Sequence, residues 1–200
     1  VPNGPVERLV DGGAQLIVAI NGSPFHQGKQ QERELLVNEI ARKSEIPIAY
    51  VNLVGGQDEL VFDGGSFITD SSGEVISRLP RFYESVAVSD ILIDERKKVE
   101  NSFPVIDVSP NRDHEGELKP SIAPILENIE ELYLALVTAT RDYVLKSGFK
   151  NVCLGLSGGI DSALVAAIAS DSLGPENVTA VMMPSRYSSD HSLIDAKQLV

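Results

Sequence analysis

The chain has 200 residues, 42% of them hydrophobic and 23% charged, which is ordinary for a globular protein of one or two domains. Its formal net charge of −12 argues against non-specific nucleic-acid binding, because a phosphate backbone attracts basic surfaces. The single cysteine excludes an intrachain disulfide framework and fits a reducing compartment. The sequence contains neither an apolar run of transmembrane length nor a signal peptide, so we expect a cytoplasmic protein without membrane contacts.

The first 84 residues alternate helical and strand patterns. A helix is predicted over residues 6–11, and the apolar run at residues 15–20 predicts a buried strand. Residues 29–44 repeat apolar side chains at helical spacing, and the predicted buried face carries Leu35, Leu36, Ile40 and Ala41.

A second buried strand is predicted over residues 48–54, before Gly55 and Gly56. Residues 66–70 and 74–78 flank the turn sequence Ser71-Ser72-Gly73, a pattern typical of a β-hairpin. This order of elements predicts one half of an α/β sandwich.

Four short segments of this half resemble the nitrilase-type amidohydrolases in their order and spacing over residues 12–78. They are Ser23-Pro24-Phe25, Gln31-Glu32-Arg33-Glu34, Tyr50-Val51-Asn52, and Phe62-Asp63-Gly64-Gly65-Ser66-Phe67 before Asp70-Ser71-Ser72-Gly73. The resemblance implies that residues 1–84 are the C-terminal part of a domain that hydrolyses glutamine with a cysteine nucleophile. It implies that the catalytic Cys, Glu and Lys lie upstream of Val1, so we assign no catalytic residue in this chain.

Two residues match the glutamine-binding positions of that family. Ser23 and Lys29 flank the loop after the strand at residues 15–20, where the substrate's carboxylate and ammonium groups could be held. The residues alone leave another interpretation open, because a serine before proline is common in loops and Lys29 could be an exposed first-turn residue.

The second half follows a polar connector, predicted over residues 85–122. A long helix is predicted over residues 124–147, ending before Gly148, with an apolar face made of Ile125, Ile129, Leu132, Leu136, Ala139 and Val144. A strand at residues 152–156, a helix at 160–173 and a strand at 178–183 form a predicted βαβ unit. Cys153 lies in the first of these strands, and we interpret it as a buried structural thiol.

The turn between this strand and helix is rich in glycine. Unpaired N–H groups at the start of the helix point outward and form an anion site, which Gly158 and Gly159 let a ligand approach closely. The hydroxyls of Ser157 and Ser162 can add donors. Asp161, in the first helical turn, either holds a magnesium ion beside bound phosphates or complements the helix dipole.

This turn resembles the SGG-x-DS signature of the PP-loop ATP pyrophosphatases. The longer match, through Pro184-Ser185-Arg186-Tyr187-Ser188-Ser189, resembles the NAD synthetase family. It implies that residues 123–200 begin a doubly wound parallel-sheet domain, with Arg186 either at a phosphate or on the surface. It also implies a magnesium ion on Asp161 and an ATP site made of Gly155, Leu156, Ser157, Gly158, Gly159, Ile160, Asp161 and Ser162.

Together the two resemblances imply a glutamine-dependent NAD synthetase, a carbon–nitrogen ligase that uses ATP, magnesium, deamido-NAD and L-glutamine. We expect a homo-oligomer that binds neither nucleic acid nor membranes. Another PP-loop amidotransferase and a non-catalytic interaction module with a silent nitrilase-like half remain as alternatives. Because the chain starts without Met and stops within a predicted helix over residues 190–200, we expect a fragment of a longer protein.

Overall fold

A computed structural model describes residues 4–93, 106, 118, 121–183 and 190–199. Within them the chain forms two compact units, the first within Val1–Val54 and Asp63–Ile125 and the second within Gly55–Phe62 and Leu126–Val200. The predicted domain boundaries at residues 84 and 122 stay a prediction.

The elements in chain order are α1 (Pro5–Asp11), β1 (Ile17–Asn21), α2 (Lys29–Ser44), β2 (Ile48–Asn52), β3 (Val54–Gln57), β4 (Leu60–Asp63), β5 (Phe67–Thr69), β6 (Val75–Arg78), α3 (Asn128–Lys146), β7 (Val152–Gly155), α4 (Ile160–Leu173), a 3-10 turn (Pro175–Asn177), β8 (Val178–Val181) and α5 (Asp190–Leu199).

The first unit is built on a four-stranded mixed sheet in the order β1-β2-β5-β6. Strands β1 and β2 run parallel, with Ile17 opposite Ile48, whereas β5 is antiparallel to both of its neighbours. The predicted hairpin of residues 66–78 therefore forms the β5–β6 side of the sheet. The core lies between this sheet and α2, and it consists of Ile17, Val37, Ala41, Ile46, Ile48 and Phe67.

The buried face of α2 differs from the predicted one. Leu35 and Leu36 are 71% and 60% exposed, and the prediction that they face the core is wrong. The buried residues are instead Gln30, Arg33, Glu34, Val37 and Ala41. The reason is electrostatic: Arg33 and Glu34 find ion-pair partners inside the unit, so their burial is compensated.

The hairpin of β3 and β4 was not predicted, because Gly55 and Gly56 were interpreted as the end of a strand. Strand β2 stops at Asn52 instead, and residues 55–62 belong to the second compact unit. There Asp142 of α3 accepts a 2.7 Å hydrogen bond from the Gly56 N–H, and Lys146 donates to the Gly56 carbonyl. A Cβ on Gly56 would lie 3.3 Å from the Cα of Ala139, which is tighter than most such contacts, so this close approach favours glycine.

The second unit contains the predicted βαβ arrangement. Strands β7 and β8 are parallel, with Val152 opposite Val178, and α4 connects them through the 3-10 turn. Helix α4 packs on α3, where the Ser172 hydroxyl donates 3.0 Å to the Val137 carbonyl. Tyr133 donates a 2.6 Å hydrogen bond to Asp171, and this bond raises the pKa of the tyrosine.

Two burial predictions for this unit are wrong. Cys153 is exposed, because the residues of β7 alternate between two faces and it points to the face opposite its half-buried neighbours Val152 and Leu154. On α3 Val144 is buried as predicted, but the other buried residues are Glu131, Ala135 and Thr138, whereas Ile129 is 79% exposed and Leu136 is 49% exposed. The backbone of the hairpin at Gly56 lies close to the helix backbone at Thr138 and Ala139, where a large side chain would not fit between them.

Within the part of the chain that is described, none of the helices combines the length and the apolar character that crossing a bilayer requires.

Two predictions lie outside the described residues. They are the motif at residues 184–189, including Arg186, and most of the connector.

Candidate functional site

Ser23 is held by hydrogen bonds at its N–H, its carbonyl and its hydroxyl. Its N–H donates to Asn52 Oδ1 at 2.8 Å, and its carbonyl accepts from Arg33 Nη2 at 2.8 Å and from Asn52 Nδ2 at 3.2 Å. Its hydroxyl oxygen accepts from Arg33 Nε at 3.3 Å. The loop after β1 thus presents Ser23 in a defined orientation.

The guanidinium that holds Ser23 belongs to a buried charge cluster. Arg33 Nη1 donates to both carboxylate oxygens of Asp63 at 2.9 Å, and Arg81 Nε donates to the same carboxylate at 3.0 Å. Asp63 is fully buried, and the two arginines are each 4% exposed. Because isolated buried charges are costly, the three side chains stabilise one another as a set.

An aromatic pair closes the other side of this cluster. Phe25 and Phe82 meet edge to face with their ring centroids 5.6 Å apart, and the Arg81 guanidinium lies 5.5 Å and 5.1 Å from the two centroids. Phe82 adopts a left-handed φ of 62°, which is strained for a residue with a side chain. Its N–H bond of 2.8 Å to the Asp63 carbonyl and its burial offset that strain.

Lys29, the second predicted glutamine-binding residue, is the first residue of α2. Its Nζ lies 3.2 Å from Glu32 Oε2, which is also 3.3 Å from His26 Nε2. Lys29 and Arg33 are four residues apart, so they lie on the same face of α2. Arg33 therefore lies near both predicted residues, because it bonds to Ser23 and follows Lys29 by one helical turn.

The second candidate site is the turn from β7 into α4, which keeps all eight predicted residues in one continuous segment. Gly158 adopts a φ of 82°, a conformation that favours glycine, and Gly159 is the N-cap of α4 in an extended conformation. Ser157 and residues 159–161 are exposed. The first-turn N–H groups of α4 have no carbonyl partner within the helix, so this exposed turn can bind an anion.

The two serines of this turn bond to the loop itself. Ser162 Oγ donates to the Gly159 carbonyl at 2.9 Å, lies 3.0 Å from Ser157 Oγ, and accepts from the Ser157 N–H at 3.2 Å. Ser157 Oγ in turn accepts from the Gly159 N–H at 3.3 Å. Because the Ser162 hydrogen is engaged with Gly159, the Ser157 hydrogen is directed to Ser162. The hydroxyls therefore set the loop conformation, which leaves first-turn N–H groups as donors to a ligand.

Asp161 is exposed in the first turn of α4, beside these N–H groups. A magnesium ion that bridges phosphates commonly takes only one or two protein carboxylates, so a single exposed aspartate fits this donor set. Within the described residues no group of three His, Cys, Asp or Glu side chains forms a self-contained metal cluster.

The residues that position Ser23 were not predicted as site residues. Asn52 and Asp63 each end a strand and Arg33 lies within α2. All three belong to the segments that resemble the nitrilase-type amidohydrolases, but the sequence does not show which residues they contact. The available signal was a charged residue on the helical face that also carries Val37 and Ala41, because a buried charge requires a distant partner.

Comparison with known proteins identifies both halves. A family model described as carbon-nitrogen hydrolase matches residues 1–115, more than half of the chain. The chain belongs to the carbon-nitrogen hydrolase family. A second model, described as NAD synthase, matches residues 132–200. These matches confirm the predicted nitrilase-like half followed by the start of an NAD synthetase domain.

Curated relatives of this chain are named glutamine-dependent NAD(+) synthetases. A glutamine-dependent NAD(+) synthetase from Thermotoga maritima is 42% identical over 200 residues, covering 94% of this chain and 35% of the relative. One from a Synechocystis species is 44% identical over 198 residues, covering 98% of this chain and 32% of the relative. The chain thus spans about a third of the length of these relatives.

Solved structures agree with the assigned fold. A glutamine-dependent NAD+ synthetase from Acinetobacter baumannii, solved in complex with ADP, matches with a TM-score of 0.77 and 41% identity over 96% of this chain and 33% of that one. The enzyme from Cytophaga hutchinsonii is similar in fold, with a TM-score of 0.67 and 21% identity over 94% of this chain and 34% of its own. The predicted α/β fold class is confirmed.

Proposed function

We propose that the protein is a glutamine-dependent NAD synthetase. In this reaction a carboxylate oxygen of deamido-NAD attacks the α-phosphorus of ATP, and pyrophosphate leaves. Ammonia released from glutamine then attacks the acyl carbon of the adenylate, and AMP leaves with its bonding electrons. The products are NAD, AMP, pyrophosphate and glutamate.

The observation that carries this proposal is the turn at residues 155–162, exposed at Ser157 and at residues 159–161, in a chain of the carbon-nitrogen hydrolase family. Its N–H groups and the positive end of α4 would hold the phosphates of ATP, at Gly155, Leu156, Ser157, Gly158, Gly159, Ile160, Asp161 and Ser162. Asp161 would hold a magnesium ion, which supplies positive charge beside the departing pyrophosphate. The Acinetobacter baumannii relative was solved in complex with ADP, which supports the proposal that this protein binds an adenine nucleotide.

Ser23 and Lys29 would bind glutamine through its α-amino-acid groups. The bonds that fix Ser23 support a binding role, since a fixed donor loses little entropy when a ligand binds. The proposal places the cysteine nucleophile, its glutamate and its lysine outside these 200 residues. A homo-oligomer and a cytoplasmic location complete the proposal.

The proposal is tested by incubating full-length protein with magnesium, ATP and deamido-NAD, supplied with either ammonia or glutamine. We expect pyrophosphate and NAD to form in equal amounts with both nitrogen donors. Failure to form NAD from ammonia would end the proposal. Formation from ammonia but not from glutamine would remove only the glutaminase half.

A further inference from the structure

We propose that Arg33, locked by Asp63 and assisted by Asn52, is a positioning residue that turns the Ser23 hydroxyl into a hydrogen-bond donor toward glutamine. This inference rests on the proposed function, because it takes the ligand of Ser23 to be glutamine. It adds three residues to the site, and it states that the Ser23 hydroxyl is the donor in its hydrogen bond to glutamine.

The donor role of the Ser23 hydroxyl follows from the hydrogens that arginine and serine carry. Arginine nitrogens carry hydrogens and cannot accept, so the 3.3 Å contact between Arg33 Nε and Ser23 Oγ makes the serine oxygen the acceptor. The hydroxyl hydrogen is then directed away from Arg33. It is available to an oxygen of the ligand, and the α-carboxylate of glutamine is such an acceptor.

The Ser23 backbone is fixed by the same neighbours. Arg33 Nη2 donates to the carbonyls of Ser23 and Pro24 at 2.8 Å and 3.2 Å, while Asn52 accepts from the Ser23 N–H and donates to its carbonyl. Asn52 Nδ2 also donates 3.1 Å to the Gly64 carbonyl, which ties the loop to the segment after β4. Rotation of Ser23 would break several of these bonds together.

Arg33 itself cannot turn, because Asp63 engages Nη1 through both oxygens while Arg81 holds the other side of that carboxylate. A lysine at this position would keep the charge beside Asp63. It would lose the planar fork that reaches the Ser23 hydroxyl and carbonyl at the same time. The variant Arg33→Lys therefore separates positioning of Ser23 from neutralisation of Asp63.

The chain offers a matched control in Arg78. Its guanidinium makes two bonds to Glu34, at 2.6 Å and 2.7 Å, and one of 2.9 Å to the Ala123 carbonyl. Arg78 therefore resembles Arg33 in chemistry and lies in the same compact unit, but its bonds join β6 to Glu34 of α2 and to residue 123, and none of them reaches Ser23. The variant Arg78→Lys shows how the loss of a guanidinium with several bonds affects the first compact unit when Ser23 is not one of its partners.

The experiment measures glutamine hydrolysis by full-length protein for Ser23→Ala, Arg33→Lys, their double variant, Asn52→Ala and Arg78→Lys. We expect Ser23→Ala, Arg33→Lys and Asn52→Ala each to raise KM for glutamine about tenfold while kcat changes little. The double variant should raise KM by less than the product of the two single effects, because both act through one hydroxyl. Arg78→Lys should leave KM unchanged.

Each contrary outcome has a distinct meaning. Multiplicative effects in the double variant, or an equal rise in KM for Arg78→Lys, would overturn the positioning role. If Arg33→Lys does not fold, Asn52→Ala decides, and an unchanged KM in that variant would also overturn it. Wild-type protein without glutaminase activity, or an unchanged KM for Ser23→Ala, would instead refute the proposed glutamine site and the inference with it.

Discussion

The two candidate sites are built in opposite ways. Around Ser23, fully or nearly buried charges from three separate segments hold one partly exposed loop, so the site is fixed before a ligand arrives. At residues 155–162 a single, largely exposed segment is held by two serine hydroxyls and one left-handed glycine. A site built from distant charges depends on the whole unit, whereas a local turn depends mainly on its own sequence.

The largest effect should come from the centre of the buried cluster. Replacing Asp63 with asparagine leaves Arg33 and Arg81 without their shared counter-charge, so we expect a loss of about 3–5 kcal/mol in the free energy of unfolding. Urea denaturation of the full-length protein measures this change. The exposed Glu39 and Lys43 pair gives the control, since Glu39→Gln should leave stability unchanged. A small effect of Asp63→Asn would show that the first site is not held by its charges.

The next effect concerns activity at the second site. We expect Asp161→Asn to reduce pyrophosphate formation from ATP and deamido-NAD by about 100-fold or more, because it removes the proposed magnesium ligand. Glutamine hydrolysis should survive at least in part. Asp171→Asn, near the other end of α4, is the control and should retain adenylylation. Adenylylation at the wild-type rate in Asp161→Asn would leave only the helix-dipole role for this residue.

A smaller effect should follow from the serine bonds of the local turn. Ser162→Ala removes the contacts to Ser157 and Gly159, and we expect a loss of about 1 kcal/mol in stability together with weaker ATP binding. Calorimetric titration with magnesium-ATP measures the binding, and Ser170→Ala within α4 serves as the control. Unchanged binding would mean that the glycines alone determine the loop conformation.

The smallest effect is a pH dependence at the β3–β4 hairpin. Burial raises the pKa of Asp142, but the Gly56 N–H bond, Arg141 and Lys146 outweigh it, so this pKa lies below its usual range. The folded state therefore binds the proton more weakly than the unfolded state, and the stabilisation is lost as pH falls below about 4. Unfolding measured from neutral to acidic pH should show a shallower decline for Asp142→Asn than for wild type. If the free energy of unfolding falls with pH equally in wild type and in Asp142→Asn, Asp142 does not contribute this pH dependence.

Local pattern was sufficient for much of the fold. The bounds of α2 and α4, residues 29–44 and 160–173, were predicted as observed, because glycine precedes each helix and apolar residues repeat along it. The β3–β4 hairpin was not predicted, since Gly55 and Gly56 look like the end of a strand unless the contact with Asp142 is known. Cys153 was predicted to be buried and is exposed, because an apolar run does not show which sheet face is covered.

The sequence by itself determined the glycine turn and the resemblance to two families, because those features reside in short segments of neighbouring residues and in their order along the chain. Only the tertiary structure decided that Arg33, Asn52 and Asp63 meet at Ser23, and that Arg33 and Glu34 are buried while Leu35 is exposed. The physical reason is that a charge enters a protein interior only with a partner, and the partner of Arg33 lies 30 residues away along the chain. Helical periodicity carries no information about such a partner.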